Sequence, residues 1–285
     1  MGKYKLSDIL LLLVIIVLLH NPQIGEAKKA DEVILQLRWH HQFQFAGYYA
    51  ADWMGYYEDE GLIVEIRPGC TDESEVLDVT KEVSEGKVDF GIGATDILLS
   101  QDKGEDLCVI SSVLQRSGIN YFIGEGTIFN SPIDIVELNI GRRENDLLDI
   151  ELQAMVINEG IGLNSLTPEI NENEKFKVQD IVEEKYDIVP GYSGGIIEYY
   201  ARKDEIKLKT IRPIDYGIDF YGDTLFTRKD FAMKNPELVE RFRRASMKGW
   251  QYALENPDEI IEIMDKEFSN PELKSEKDFI EYNKF

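Results

Sequence analysis

The chain has 285 residues and a formal net charge of −23 at pH 7, because 54 acidic residues outnumber 31 basic ones. A field of this sign repels nucleic acid and anionic membrane surfaces, which are bound by clustered Lys and Arg side chains. Those two classes of partner are therefore excluded. The length is large for one hydrophobic core and suits two lobes of ordinary domain size.

The N-terminal segment predicts export. Two lysines among the first eight residues precede an unbroken apolar run over residues 9–19. This layout is typical of a signal peptide, since the run is shorter than the roughly 20 residues that cross a bilayer. Small residues in Gly25-Glu26-Ala27 predict cleavage near Ala27 and a destination in the periplasm or at the extracytoplasmic face of the membrane. If residues 1–27 are retained, they form a short tether instead.

The two cysteines, Cys70 and Cys108, leave a single question open. An exported chain can form a disulfide, so one bridge between them is chemically possible. A lone cysteine is more often a small buried apolar residue, and the sequence therefore does not imply the bridge.

From Val33 onward, short β-branched runs alternate with helical stretches, as in βαβ units. The second helix of this series is predicted to begin after Asp72, with Glu75 placed for a capping box and Gly86 as its terminator. These segments form one predicted lobe. Its strands are predicted at residues 33–37, 62–66, 88–92 and 107–113, and its helices at 47–59, 73–85 and 97–103.

A second series of elements follows. Its strands are predicted at residues 121–123, 139–141, 188–189 and 207–211, and its helices at Leu147–Asn158 and 194–202. Segment 217–227 is expected to return to the first lobe, before amphipathic helices over 236–254 and from Pro257. The polar insertion 171–177 is expected to be a surface loop.

The fold class is therefore α/β, with two lobes that each hold a mostly parallel sheet flanked by helices. Crossing strands are expected to act as the hinge between the lobes. Lobe I is predicted to be discontinuous, over residues 28–115 and 213–285, and lobe II to span residues 116–212. A protein of this kind is expected to be a monomer.

The most unusual stretch is residues 37–55, LRWHHQFQFAGYYAADWMG, which places many aromatic rings in the turn from the first strand to the first helix. Ligands of open α/β sheets bind at such turns, beyond the carboxyl ends of the strands. Trp39 and Tyr48 fall at the strand exit and the helix start, where a ring can form one wall of a cleft. Core packing is favoured for the rings at helical spacing, namely Phe45, Tyr49 and Trp53.

His40 and His41 raise the possibility of a metal site. Adjacent side chains point in different directions, and neither a carboxylate nor a cysteine stands at a metal-site spacing from them. We therefore predict no metal. For either histidine, the role of a hydrogen-bonded turn residue is favoured, and a hydrogen bond to a ligand is the alternative.

A second candidate cluster is Gly91-Ile92-Gly93-Ala94-Thr95-Asp96, where a strand ends in small residues before a helix. Glycines let a ligand approach the backbone, so Thr95 and Asp96 are candidate ligand contacts. Helix capping by either residue is an equally good interpretation. The spacing does not match a phosphate-binding loop.

Two further clusters combine aromatic residues with acids and glycines. The first joins Tyr192, Ser193 and two glycines to Glu198. The second covers residues 216–223, in which Asp219 and Asp223 could bind a polar edge of a ligand. A glycine-rich strand that crosses between lobes would have much the same composition, so neither cluster is specific alone.

The sequence offers no recognisable catalytic machinery. It contains no GxSxG motif, and neither cysteine lies close in sequence to a histidine. The paired acids Glu183-Glu184 and Asp258-Glu259 have the pattern of solvated helix faces. We therefore predict a binding protein without a cofactor rather than an enzyme.

Four segments together suggest a family. The first is WHHQFQFAGYYAA over residues 39–51, followed by GYY at 55–57 and GL at 61–62. The others are GKVDFGIG over 86–93, DYGIDFYGD over 215–223, and the helical segment 242–254. They resemble the landmarks of the NMT1/THI5-like (SsuA/THI5-like) periplasmic substrate-binding proteins, over about residues 33–264. The resemblance implies a type II periplasmic-binding-protein fold that binds a thiamine-pyrimidine precursor or a related planar heterocycle and delivers it to an ABC permease.

The same resemblance implies two alternatives. Fungal relatives make the thiamine pyrimidine from pyridoxal phosphate with a lysine, a consumed histidine and a cysteine-rich segment. The matching stretch here, residues 216–226, contains no cysteine, which disfavours the synthase. The module also serves as the ligand-sensing part of bacterial signalling receptors, so a membrane sensor is another possible partner.

The ligand-binding residues that we predict come from all of these clusters. Where relatives show a tyrosine followed closely by Asn-Glu-Pro, this chain has Tyr192 with the glutamate displaced to Glu198. The predicted set is Trp39, His41, Tyr48, Thr95, Asp96, Tyr192, Glu198, Tyr216, Asp219 and Tyr221.

Overall fold

The computed structural model of the chain describes residues 29–71, 76–143, 147–166, 168, 175–268, 273 and 275–285. Three predictions fall outside these residues. They concern the export segment with its cleavage near Ala27, the capping box at Asp72 and Glu75, and most of the polar insertion 171–177.

Short apolar and β-branched segments of the described chain form eight strands in two sheets. In most of these strands, the side chains on at least one face are buried. This is the pattern from which strands are predicted. The strands are β1 (Asp31–Gln36), β2 (Leu62–Arg67), β3 (Phe90–Gly93), β4 (Leu107–Ser112), β5 (Ile119–Gly124), β6 (Ile188–Tyr192), β7 (Leu208–Ile211) and β8 (Thr224–Arg228).

The first sheet has the strand order β2-β1-β3-β8-β4. β1 runs parallel to both β2 and β3, as the βαβ pattern predicts. β8 comes from the far end of the chain and runs antiparallel to β3 and β4. The segment predicted over 217–227 therefore does return to the first sheet.

The second sheet has the order β6-β5-β7, and β5 runs antiparallel to both neighbours. The mostly parallel pairing predicted for this sheet is wrong for its described strands. β5 is the strand that enters from the first sheet, so it runs against the strands that follow it. The predicted strand over 139–141 is reduced to a single parallel bridge between Ile140 and Ile188.

Helices cover both sheets, and none of those in the described part of the chain is long and apolar enough to cross a membrane. Short 3-10 segments lie at Phe43–Phe45, Pro132–Glu137, Leu163–Ser165 and Pro213–Tyr216. The α-helices are α1 (Ala46–Trp53), α2 (Tyr56–Asp59), α3 (Val79–Ser84), α4 (Asp96–Asp102), α5 (Leu147–Asn158), α6 (Val178–Val182), α7 (Ile196–Lys203), α8 (Lys229–Lys234), α9 (Pro236–Glu255), α10 (Pro257–Glu267) and α11 (Glu276–Lys284).

Two predicted helices have different bounds in the structure. The helix predicted over 47–59 is broken into α1 and α2 by Gly55, whose φ of 72° lies in the left-handed region. The helix predicted over 73–85 is shortened to α3. Asp78, rather than Asp72, is its N-cap, and the Asp78 carboxylate accepts a hydrogen bond from the backbone N–H of Lys81 at 3.1 Å.

A buried aromatic and aliphatic core joins β1, α1 and α9. The two helices cross so closely that glycine is required at the contact. A Cβ on Gly249 would lie 2.1 Å from the carbonyl oxygen of Gly47, and a Cβ on Gly47 would lie 2.1 Å from Cγ of Trp250. Because α1 follows directly on the aromatic turn, this packing fixes the turn against the first sheet.

The two segments that connect the sheets run side by side. One links β4 to β5 and the other links β7 to β8. The backbone N–H of Val113 donates to the carbonyl of Asp223 at 2.9 Å, and that of Ser117 donates to the carbonyl of Phe220 at 2.7 Å. The expectation that crossing segments form a hinge agrees with this pairing, and the lobe boundaries at residues 115/116 and 212/213 stay a prediction.

The C-terminal helix α11 contacts elements of both sheets. On one side, Oδ1 of Asn283 accepts a hydrogen bond from the backbone N–H of Phe43 at 2.6 Å, in the turn after β1. On the other side, the carboxylate of Asp278 accepts from the hydroxyl of Tyr199 at 3.0 Å and pairs with Lys203, both on α7. This helix was not predicted from the sequence.

The cysteines are described in the structure and do not pair with each other. Cys70 is buried, and its backbone forms an isolated antiparallel β-bridge with Val76. Cys108 lies on β4. The possible Cys70–Cys108 disulfide is therefore not formed in this structure.

Candidate functional site

Arg38 connects the two sheets. It lies two residues beyond β1, and Nη1 of its guanidinium is 3.2 Å from Oδ1 of Asp223, just before β8. Nη2 donates to the hydroxyl of Tyr192, the last residue of β6, at 3.1 Å. One side chain thus joins the carboxyl end of a strand in the first sheet to the carboxyl end of a strand in the second. Such strand ends are where α/β proteins bind ligands.

Asp223 is the buried partner of this pair. Its second carboxylate oxygen accepts a hydrogen bond from Nε2 of Gln44 at 2.7 Å. Burial raises the pKa of Asp223 above its ordinary value, although Arg38 opposes that shift. For Arg38, burial acts to lower the pKa, but the neighbouring Tyr192 and Asp223 outweigh it and raise the pKa. Arg38 and Asp223 form an ion pair through one charge-assisted hydrogen bond.

Glu151 is a third acid close to this point, on helix α5 of the second sheet. Its side chain is buried, with 1% of the residue's surface exposed. The side chain of Ser117, in the connection from β4 to β5, hydrogen-bonds its carboxylate. Burial raises the pKa of Glu151 to about 7, while Ser117 and the nearby Arg38 act in the opposite direction.

The turn from β3 to α4 approaches from the first sheet. Asp96 accepts a hydrogen bond from the backbone N–H of Ala94 at 2.6 Å, and its charge acts on both Arg38 and Asp223. Ala94 itself packs against the hydrophobic core of the second sheet. Thr95 is buried, and within the described residues its hydroxyl oxygen has no hydrogen-bond partner.

We call Arg38, Asp96, Glu151, Tyr192 and Asp223 the junction cluster. Its charged side chains are one guanidinium and three carboxyl groups, and the guanidinium is already paired with Asp223 and Tyr192. The cluster as described is therefore rich in hydrogen-bond acceptors. It favours a ligand that carries N–H or O–H donors, or a positive charge, over an anion.

Two predicted ligand contacts pack against other aromatic rings, Tyr48 within the core of the first sheet and the partly buried His41 at its edge. Tyr48 has 1% of its surface exposed, and its ring stands edge-on to Trp250 with centroids 5.8 Å apart. His41 stacks on Phe268 at 3.9 Å, and its Nδ1 lies 2.8 Å from the hydroxyl of Tyr49. Burial lowers the pKa of His41 to about 4, with His40 adding to the shift, so the ring is neutral at pH 7.

Trp39 is nearer to the junction cluster, directly after Arg38 in the chain. It is partly buried, and its ring stands edge-on to His40 with centroids 5.4 Å apart. Its carbonyl accepts a hydrogen bond from the backbone N–H of Gly69 at 2.8 Å. This turn is tight, because a Cβ on Gly69 would lie 2.1 Å from the carbonyl carbon of Arg38.

The structure separates Tyr192 from Glu198. Tyr192 reaches the junction cluster, whereas the carboxylate of Glu198 folds back on its own helix and accepts a hydrogen bond from the backbone N–H of Gly194 at 2.7 Å. That contact caps the start of α7, where unsatisfied backbone N–H groups attract negative charge.

The remaining predicted contacts lie on the connection from β7 to β8. Tyr216 packs edge-on to Phe129 at 6.0 Å, against the core of the second sheet. Asp219 is exposed and forms a 3.9 Å ion pair with Arg116, and Tyr221 is also exposed. None of these three contacts the described atoms of the junction cluster, and their role in binding stays a prediction.

Sequence reasoning missed Arg38, Gln44 and Glu151. A signal existed for Glu151, which shares one helix stripe with the buried Leu148, Leu152 and Met155. An acid on a buried stripe is unusual unless it has a specific partner or role. Arg38 gave no such signal, because its partners lie more than 150 residues away.

Comparison with solved structures defines the class of fold. The chain is similar to the alkanesulfonate-binding protein SsuA from Xanthomonas axonopodis pv. citri bound to MOPS, with a TM-score of 0.61 and 10% identity. The match covers 90% of this chain and 85% of that one. The predicted periplasmic-binding-protein fold is confirmed. The chain belongs to the NMT1/THI5-like family, which matches residues 42–260.

Three curated relatives are similar over most of this chain. The formylaminopyrimidine-binding protein of Halalkalibacterium halodurans is 24% identical, and the match covers 93% of this chain and 79% of the relative. The riboflavin-binding protein RibY of Chloroflexus aurantiacus is 24% identical over 82% of this chain and 65% of the relative. The 4-amino-5-hydroxymethyl-2-methylpyrimidine phosphate synthase of Legionella pneumophila is 22% identical over 86% and 76%, respectively.

Proposed function

We propose that the chain is an extracytoplasmic solute-binding protein of an ABC-type importer. Its two lobes close on a small planar heterocycle, such as a thiamine-pyrimidine precursor. Family membership supports the binding role, and relatives named for binding a formylaminopyrimidine and a riboflavin support a flat, nitrogen-rich ligand.

The observation that carries the proposal is the junction cluster. Arg38, Tyr192 and Asp223 come from the turn after β1, the end of β6 and the segment before β8, and they meet through one guanidinium. Polar contacts that join two lobes form only when the lobes are together. Ligand-linked closure of this kind is the established mode of hinge-bending binding proteins.

The charge of the junction cluster supports a heterocycle over a sulfonate. A sulfonate needs positive charge or many donors, and the guanidinium of Arg38 is already engaged by Asp223 and Tyr192. Acceptor groups such as the carboxylates of Asp96 and Glu151 instead suit amino groups and ring N–H donors. The fold similarity to a sulfonate-binding protein therefore does not extend to the ligand in this proposal.

Titration calorimetry with a panel of ligands tests the proposal. The panel contains 4-amino-5-hydroxymethyl-2-methylpyrimidine, a formylaminopyrimidine, riboflavin and MOPS. We expect saturable binding of at least one heterocycle and none of MOPS. Binding of MOPS alone would contradict the proposal, as would the absence of binding to every heterocycle when the protein is folded and free of carried-over ligand.

Trp39 is the ring that we expect to stack on the heterocycle. Replacing Trp39 by Ala should weaken binding by about tenfold or more, because one stacked aromatic pair contributes about 0.5–1.5 kcal/mol beyond its buried area. Trp39→Phe keeps a flat ring and should retain most of the affinity. Undiminished binding by Trp39→Ala would exclude the stacking role.

Export belongs to the same proposal. Cleavage near Ala27 would leave a mature protein that begins near Lys28 and still carries the charge of −23, because residues 1–27 contain two lysines and two acids. Mass spectrometry of secreted material should give that start. A mass that includes residues 1–27 would show that the segment is retained as a tether.

The synthase is a second candidate, favoured by similarity to the Legionella pneumophila enzyme. That chemistry needs a lysine that forms an adduct with pyridoxal phosphate. The cation of the junction cluster is the guanidinium of Arg38, which does not form such an adduct at neutral pH. Mixing the protein with pyridoxal phosphate should give no adduct absorbance, and an adduct that maps to one lysine would favour the enzyme.

A further inference from the structure

Glu151 is buried in a place where a carboxylate is costly. It shares a helix stripe with Leu148, Leu152 and Met155, which belong to the core of the second sheet. The residue has 1% of its surface exposed, and within the described chain its Oε1 has no hydrogen-bond partner. A buried, incompletely paired carboxylate destabilises a protein unless something else binds it.

The surroundings place Glu151 at the junction cluster. The hydroxyl of Ser117 accepts a hydrogen bond from the backbone N–H of Ile119 at 3.1 Å, which leaves its own hydrogen to donate to Glu151. The charge of Arg38 also acts on the carboxylate. Ala94, in the turn after β3, packs against the same hydrophobic core as the two leucines that flank Glu151 on its stripe.

Thr95 lies in the turn from β3 to α4 of the first sheet, between Ala94 and Asp96. It follows Ala94 directly, it is buried, and its Oγ1 also lacks a hydrogen-bond partner within the described residues. Two buried polar atoms without partners within the described residues therefore belong to opposite sheets, one on Glu151 and one on Thr95, the neighbour of Asp96. The charge of Arg38 acts on both Glu151 and Asp96. Buried polar atoms that lack hydrogen-bond partners are expected where a polar ligand supplies the missing partners.

We propose that Glu151 is the specificity-determining carboxylate of the ligand site, and that its Oε1 accepts a hydrogen bond from an exocyclic amino group of the heterocycle. The inference rests on the proposed function and names the ligand class more narrowly, as an amino-substituted ring with an adjacent ring nitrogen. A carboxyl group and such a ring form two parallel hydrogen bonds. The amino group donates to one oxygen, and one proton lies between the ring nitrogen and the other oxygen.

Near neutral pH, either the carboxyl group or the ring can supply the one proton that the pair shares. The pKa of Glu151, raised by burial to about 7, leaves the carboxyl group able to bind a neutral ring as the acid or a protonated ring as the carboxylate. Ser117 stays on the carboxyl group in either form. Binding is therefore expected to be linked to proton uptake or release in the pH range around 7.

Glu198 is the matched control for this assignment. Both residues are glutamates on helices that pack on the second sheet, Glu151 within α5 and Glu198 in the first turn of α7. The carboxylate of Glu198 is engaged by the backbone N–H of Gly194, and it lies outside the junction cluster. Glu198→Gln should therefore leave ligand affinity within about twofold, whereas Glu151→Gln should not.

Calorimetry tests the inference with two probes, 4-amino-5-hydroxymethyl-2-methylpyrimidine and its analogue without the 4-amino group. We expect Glu151→Gln to weaken binding of the amino probe by about 10- to 100-fold, as for loss of one hydrogen bond to a charged group. Binding of the analogue should change by about threefold or less. A cooperative thermal transition of the variant confirms that it is folded.

A second measurement needs no variant. Binding of the amino probe to the unaltered protein, in buffers of different ionisation enthalpy, should show a net uptake of protons that grows between pH 7 and pH 9, because the free carboxyl group and the free ring then lack the one proton that the bound pair shares. If the unaltered protein binds no heterocycle, the proposed function fails and this inference fails with it. If it binds the amino probe, and Glu151→Gln binds both probes as the unaltered protein does, this inference alone is overturned.

Discussion

The turns after β1 and β6 occupy equivalent places, because each leads from the carboxyl end of a strand into a helix. They use their polar residues in opposite ways. In the first turn, Arg38 and Gln44 reach outward to Asp223, far along the chain. In the second turn, Glu198 folds back onto Gly194 and only Tyr192 reaches across.

The difference shows how local hydrogen bonding decides which residues are available to a ligand. A carboxylate near the start of a helix is attracted to the unsatisfied backbone N–H groups there, so Glu198 is used within its own helix. Arg38 finds no such partner in its turn and contacts distant residues instead. On the side of the second sheet, the carboxyl oxygen that lacks a partner within the described residues is Oε1 of Glu151, on α5.

The largest effect is expected for Arg38→Ala in the first turn. It leaves Asp223 buried without its ion-pair partner, so we expect unfolding to be easier by about 3 kcal/mol or more. Urea unfolding at pH 7 measures the change. Arg243→Ala, which breaks an exposed pair with Glu240, is the control and should cost about 1 kcal/mol or less. Equal losses in the two variants would contradict the account.

The next effect is a pH-dependent gain in stability for Glu151→Gln. The folded-state pKa of Glu151, about 7, lies above its ordinary value of 4.5 because of burial. The folded protein therefore binds the extra proton, and its stability falls as pH rises from about 4.5 to about 7.

Glu151→Gln removes this dependence. The variant should resemble the unaltered protein at pH 4.5 and be more stable by up to about 3 kcal/mol at pH 8, where the buried charge is fully formed. Urea titrations at a series of pH values give the comparison. A variant that is less stable than the unaltered protein at pH 8 would show that the charged form is satisfied by the fold itself.

A smaller effect is expected for Tyr192→Phe, which removes the hydroxyl that accepts from Arg38. The ring is partly exposed, so water can replace the lost partner, and we expect a change of about 1 kcal/mol in stability. Ligand affinity should fall as well, because the contact joins the two sheets. Calorimetry with the best heterocycle of the panel measures this, and unchanged affinity would exclude Tyr192 from closure.

The smallest effect is expected for Glu198→Ala in the second turn. Loss of the contact to Gly194 weakens the start of α7, by about 1 kcal/mol in line with helix N-terminal contacts. Affinity for the heterocycle should not change, which separates this variant from Tyr192→Phe. A loss of affinity larger than that of Glu151→Gln would reverse the roles that we assign to the two acids.

Sequence patterns predicted the elements that depend on local signals. Helix Leu147–Asn158 has the predicted bounds, because its run of helix-forming, largely apolar residues stops just before Gly160, whose φ is positive. The helix predicted from Glu73 has its described start at Val79, because Asp78 caps it there. The split at Gly55 was missed, since a single glycine is compatible with either a helix or a break.

The site was harder to predict than the fold. The aromatic turn was correctly identified as unusual, and Tyr192 does reach the first sheet. Tyr48 lies in the core, because helix α9 covers the side of α1 that it faces. His41 precedes α1 and stacks on Phe268. Arg38 depends on residues brought close only by the two connecting segments, so no local pattern could reveal it.

A crystal structure of the protein purified with ligand acquired in the cell tests the central claim most directly. We expect density for a flat ring between the turn after β1 and helix α5, with an amino group within hydrogen-bond distance of Oε1 of Glu151. Arg38 should still contact Asp223 and Tyr192. An anion bound to Arg38 in place of Asp223, or a ligand remote from the junction cluster, would contradict the account.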